Sequence, residues 1–95
     1  MIVTTHILVH GRVQGIGFRR FICGEADKLG VSGTVQNQSD GDVLTVAVGE
    51  RKAIEQLITR IESGNGFSII EKIDVKWKDG GDPSGEFKVV RTLWW

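Results

Sequence analysis

Three glycines and two arginines stand together in Gly11-Arg12-Val13-Gln14-Gly15-Ile16-Gly17-Phe18-Arg19. Glycine has no Cβ, so the main chain at Gly15 and Gly17 can bend sharply and come close to a ligand. The successive N–H groups of Gly15, Ile16, Gly17, Phe18 and Arg19 could then converge as an anion-binding nest. Arg19 adds a planar guanidinium fork that matches phosphate oxygens two at a time. The chemistry open to these residues is capture of a phosphate, through charged hydrogen bonds of roughly 1.5–3 kcal/mol each. Two common glycine motifs do not fit. No Gly-Lys-Ser/Thr closes the loop, and the glycine spacing is not a dinucleotide fingerprint. On glycines and arginine alone, a tight turn followed by a solvated arginine fits at least as well.

The other reactive side chains suggest less. His10 lies near the loop and could act as a base, but a strand histidine with a structural hydrogen bond is the expected role. His6 is expected to be structural too. Two histidines without cysteine or carboxylate at ligand spacing make a poor metal case, so no metal and no cofactor are expected. Cys23 falls inside a helical pattern and is expected as a core or boundary thiol. Asp40 and Asp42 flank a glycine, where turn chemistry explains them better than catalysis.

These residues need elements to position them. His6 to His10 reads as a first, central strand ending at Gly11. Phe18, Ile22, Ala26 and Leu29 share one face of a helix over 18–29, which Gly30 stops. A second strand runs over 33–38. Asp40-Gly41 predicts a two-residue type I′ turn into a third strand over 43–48. Ile54, Leu57, Ile58 and Ile61 form the stripe of a second helix that ends at Gly64. Ile73, Val75 and Trp77 alternate with charged residues as a half-buried strand. A turn-rich loop follows over 79–85, and 87–90 is a last short strand or extension.

The resulting order, β-α-β-β-α-β, is that of a ferredoxin-like α+β sandwich, an antiparallel sheet with two helices on one face. Its first two strands should be parallel, joined by a right-handed crossover. Their C-terminal ends then meet at one edge of the sheet, where the first helix begins. The unpartnered N–H groups and the positive dipole end of that helix make this edge an anion site. Val35 should face the core, and Asn37, two residues on, shares its face. A polar amide there needs partners, which a substrate, a water or its own turn at Asp40 could supply.

A chain of 95 residues suits a single domain over 1–95, burying roughly 60–65% of its unfolded surface. Lys plus Arg equal Asp plus Glu, 12 against 12, so no global field attracts nucleic acid and an anion must be held locally. The strands over 6–10 and 43–48 carry no Phe, Tyr or Trp for base stacking, which also disfavours RNA. The longest apolar run is too short to span a bilayer. A lone cysteine and no signal peptide make the cytoplasm the expected compartment. A monomer is expected. Trp94-Trp95 could pack on the sheet edge or meet a partner.

The run Val9 to Arg19 resembles the acylphosphatase signature, V-x-G-x-V-Q-G-V-x-F-R. Gly33-Thr34-Val35-Gln36-Asn37, followed by Asp40-Gly41, is similar to that family's second motif, G-x-V-x-N with a turn. The resemblance covers nearly the whole chain and is strongest up to Gly49. It implies a ferredoxin-like fold and hydrolysis of acyl phosphates to a carboxylate and inorganic phosphate. By motif position, Arg19 would bind the phosphate and Asn37 would orient the water. The acyl phosphate is the implied small-molecule partner, with inorganic phosphate or another anion as product or inhibitor. The leaving carboxylate needs no strong acid, which suits a sequence without a convincing acid–base pair. Thr34 stands where the family often has an aromatic residue, and Gly64-Asn65-Gly66-Phe67 lacks its usual proline. The alternative is a binding module, holding phosphate or carbamoyl phosphate without turnover, as in the acylphosphatase-like domain of carbamoyl-transfer maturation proteins.

Overall fold

In the computed structural model, which describes residues 1–90, Val3, Thr5, Ile7 and Val9 are fully buried and the residues between them face the other side. This period of two defines β1, Ile2–Arg12, longer at both ends than the sequence pattern suggests. Helix α1, Phe18–Leu29, buries Phe18, Ile22 and Ala26. Gly30 closes it in the left-handed conformation, φ 68°, as expected. Next come β2, Ser32–Asn37, and β3, Val43–Glu50. Helix α2, Arg51–Ser63, buries Ile54, Leu57 and Ile61. Strands β4, Ile69–Asp79, and β5, Phe87–Val90, complete the sheet.

The sheet order is β4-β1-β3-β2-β5. Both β1 and β2 run antiparallel to β3 between them, so they are parallel to each other. The two helices pack together on one face, over a core that includes Ile7, Val35, Val43 and Ala47. Each fully buried Leu, Ile, Val or Phe contributes about 1.5–3 kcal/mol to this sandwich.

Three expectations change. The sheet is not wholly antiparallel, because β5 pairs with β2 in parallel. The chain leaves β4 at the end where β1 starts, crosses the sheet over 80–86, and enters the far edge from that same end. The type I′ turn is replaced by a three-residue loop. Gly41 N–H donates to the Gln38 carbonyl (3.2 Å), and Gln38 N–H donates to that of Asp42 (2.8 Å). Only Gly41 takes positive φ; Asp40 keeps a negative one, its Oδ1 accepting from Asp42 N–H at 3.0 Å. Finally, β1 does not stop at Gly11. Its pairing with β4 shifts between His10 and Gly11, a bulge that turns the chain towards Val13. Gly11 takes φ 135°, and a Cβ there would strike the Ile69 carbonyl.

The tail over 91–95, with Trp94-Trp95, lies outside the described residues. Among those described, no helix is long and apolar enough to cross a membrane.

Candidate active site

Gly17 is the N-cap of α1, in the left-handed conformation (φ 75°, ψ 16°). No side chain caps the helix, and its first turn carries no acidic residue. Arg19 and Arg20 stand there instead, at the positive end of the dipole. Phe21 N–H bonds back to the Gly17 carbonyl (3.0 Å), so the N–H groups of Phe18, Arg19 and Arg20 have no partner within the helix. A Ser, Thr, Asp or Asn cap would have stabilised this end by about 1 kcal/mol. Gly15 also takes positive φ (74°), and a Cβ at Gly15 or Gly17 would meet no protein atom within 4 Å. The backbone conformation, rather than crowding, asks for glycine at both positions.

The loop opens on a cleft of about 840 Å³ whose walls include Gly15, Gly17, Phe18, Arg19 and Asn37. The Phe18 side chain is buried in the core, so its main chain is what it offers here. Arg19 is held against β5, where its Nη1 donates to the Val90 carbonyl (3.2 Å). Asn37 closes β2 on the helix-covered face that Val35 also occupies. Its Oδ1 is buried and has no hydrogen-bond partner among the described residues. Leaving such an oxygen unpaired costs about 1–3 kcal/mol, which a donor entering the cleft would recover. The structure thus gathers Gly15, Gly17, Phe18, Arg19 and Asn37. Ile16 is the exception, since it does not line the cleft.

Two side chains hold the loop from outside. Gln14 Nε2 donates to the carbonyls of Gln38 (2.7 Å) and Asp42 (2.9 Å), tying the loop to the β2–β3 hairpin. Asn65, between α2 and β4, donates from Nδ2 to the Ile16 carbonyl (3.0 Å). In the sequence, Gln14 has only a place in a motif, and the Asn65 segment stands out only for lacking a proline.

His10 does not line the cleft. Its Nδ1 lies 2.8 Å from Asp42 Oδ2 and its Nε2 lies 2.8 Å from Asp74 Oδ2. The hydrogen bond with Asp74 raises the imidazole pKa above its ordinary value; partial burial opposes this and the charge of Asp42 reinforces it. The same bond lowers the Asp74 carboxyl. His10 therefore fits the structural role expected of it, and Asp42 joins it rather than serving the turn alone. The Cys23 thiol is half-buried and donates to the Phe87 carbonyl (3.4 Å). Burial, then the charge of Asp27, pushes its pKa up, the opposite of what a nucleophilic thiolate needs. Among the described residues, no group of three or more His, Cys, Asp or Glu side chains is arranged to hold a metal ion.

Known proteins resemble this chain over nearly its whole length. The family model for acylphosphatase matches residues 5–89. An acylphosphatase of Salinibacter ruber is 42% identical over 83 residues, 87% of either chain. The crystal structure of acylphosphatase from Bacillus subtilis superposes with a TM-score of 0.89 at 35% identity, covering 93% of this chain and 98% of that one. Full-length HypF, in a phosphate- and nucleotide-bound form, matches with a TM-score of 0.82 at 30% identity, over 95% of this chain but 12% of its own. With this sandwich and this glycine-arginine loop, the chain belongs to the acylphosphatase family, whose function is the hydrolysis of acyl phosphates.

Proposed function

We propose that this chain cleaves acyl phosphates with its α1 loop as the phosphate cradle. The N–H groups of Gly15, Gly17, Phe18 and Arg19, with the Arg19 guanidinium, hold the terminal phosphoryl oxygens. Ile16 shapes the loop behind them. The observation that carries this reading is the uncapped start of α1, with two arginines in its first turn, opening on the cleft beside Asn37, whose buried Oδ1 has no partner among the described residues. Such a terminus is destabilising in itself and favourable to an anion.

In the reaction, Asn37 Oδ1 accepts a hydrogen bond from a water and holds it in line with the scissile P–O bond. The water oxygen bonds to phosphorus as the bond to the carboxyl oxygen breaks, and that electron pair leaves on the carboxylate. A water proton passes to a phosphoryl oxygen. Acyl phosphate dianion plus water gives a carboxylate and dihydrogen phosphate, with atoms and charge balanced. Because the leaving group is stable as an anion, rate comes from positioning and charge stabilisation. The cradle supplies both.

The test is hydrolysis of benzoyl phosphate in the presence of a chelator, wild type against Arg19→Gln. Turnover by the wild type and a loss of about a thousandfold in kcat/KM in a folded variant are expected, the scale of losing a charged transition-state contact. Near-normal turnover by the variant refutes the role of Arg19. The likeness to part of full-length HypF favours a second reading, a module that binds phosphate without turnover. Phosphate binding by a wild type inactive towards benzoyl phosphate would decide for it.

A further inference from the structure

We propose that Asn65 is a positioning residue, locking the Ile16–Gly17 peptide in the orientation that presents the Gly17 N–H to the cleft. The inference rests on reading this loop as the phosphate cradle.

Asn65 uses both halves of its amide. Its Oδ1 accepts from the N–H groups of Phe67 and Ser68, each at 3.1 Å, and so folds its own loop as an Asx turn. Its Nδ2 is left to reach 49 positions back along the chain, to the Ile16 carbonyl at 3.0 Å, in a half-buried contact. The Ile16–Gly17 peptide is trans, so its C=O and N–H point in opposite directions. Holding the carbonyl on the Asn65 side therefore turns the Gly17 N–H away from Asn65. Ile16 does not line the cleft and Gly17 does. The peptide needs such a hold. Gly17 accepts either sign of φ, so the plane could flip at little cost and aim a carbonyl where the anion belongs. Gln14 anchors the loop one residue before Gly15 but does not touch this peptide.

The experiment titrates inorganic phosphate into wild type, Asn65→Ser, Asn65→Asp and Arg19→Gln, reading the amide resonances of Gly17 and Arg19. Benzoyl phosphate kinetics run in parallel. Serine keeps a short oxygen for the local turn but cannot reach Ile16. Aspartate keeps both acceptor bonds and loses the donor. For Asn65→Ser we expect the phosphate dissociation constant and KM to rise together by about tenfold, roughly one hydrogen bond's worth. The change in kcat should stay within about threefold, as for a contact made in ground and transition state alike. The phosphate-induced shift of the Gly17 amide should shrink in both Asn65 variants. A residue that merely stabilised the fold would lower the melting temperature and leave these binding readouts alone. Phosphate affinity and a Gly17 shift within about twofold of wild type overturn the proposal. If Asn65→Ser does not fold, Asn65→Asp decides the question on the same readouts. If wild type itself gives no phosphate-dependent shift at Gly17 or Arg19, the cradle falls and this role with it. If wild type responds, Arg19→Gln does not, and both Asn65 variants match wild type, only the role of Asn65 falls.

Discussion

The two helices begin at opposite ends of the strands, and their first turns carry the same charge, two basic residues and no acid, but meet different surroundings. Neither has a side-chain cap. At α2, the Arg51 N–H donates to the Met1 carbonyl (3.1 Å), so the first free amide is taken by the chain itself. Glu50 stands at the N-cap, its carboxylate 2.7 Å from the terminal ammonium. The Arg51 guanidinium lies over the Trp77 ring, 4.3 Å from its centre. At α1, the amides of Phe18, Arg19 and Arg20 have no helical partner, and the arginines add positive charge to an already positive end. The start of α2 meets Met1 and Trp77 of its own chain; the start of α1 lines an open cleft, where the proposed function puts an anion. Departures from local rules of this kind are what functional sites show.

The contrast breaks first at Arg19, the largest effect expected, since Arg19→Gln removes the only side-chain charge assigned to the cradle. Asn37 comes next. Asn37→Ala should lower kcat by about a hundredfold, while the phosphate dissociation constant moves by less than about threefold. It also removes a buried oxygen that has no partner among the described residues, so the melting temperature should hold or rise. Pre-steady-state kinetics with calorimetry would check both halves. An equal loss of phosphate affinity would make Asn37 a phosphate ligand and not a water holder. At the other end, Glu50→Gln should leave kcat/KM within about twofold and stability within about 1 kcal/mol, because its ion pair is exposed. A marked loss of activity there would show that the two ends are not independent.

What could be read in advance follows the same divide between local and long-range causes. The stripe of α1, the left-handed Gly30, the burial of Val35 beside Asn37 and the half-buried Cys23 all follow from spacing within one element. The direction of β5 depends on where a seven-residue crossing over 80–86 must land, which no local pattern encodes. The dipeptide Asp40-Gly41 favours a two-residue turn. Yet Asp40 bonds its own backbone at Asp42 and so avoids positive φ. The braces of the site were the least legible. Asn65 reaches Ile16 and Gln14 reaches two hairpin carbonyls across gaps that only the folded chain closes. His10 meets Asp42 and Asp74 for the same reason.

The smallest effect expected concerns that last cluster, which strengthens the α1 end from the uncovered face of the sheet. His10 on β1 stands between Asp42, at the base of the β2–β3 loop, and Asp74 on β4, while Lys72 Nζ lies 3.6 Å from Asp74. A protonated imidazole donates to both carboxylates at once; a neutral one can donate to only one. Because the folded pKa of His10 is raised above 6.5, this contribution to stability is complete below that value and is lost as pH rises through the folded pKa. Asp74 works the other way. Its folded pKa is lowered from 3.8, so its contribution is present above that value and is lost only as pH falls below it, outside the histidine window. The wild-type melting temperature should therefore decline as pH climbs above 6.5 and through the raised pKa of His10. In His10→Gln, which keeps a polar side chain without a titrating proton, the decline should flatten while kcat/KM for benzoyl phosphate changes little. Thermal unfolding of both proteins across pH 6 to 8 tests this. Parallel slopes would mean that the clasp adds nothing as an ion pair, and that the α1 end is held by Gln14, Asn65 and main-chain hydrogen bonds without it.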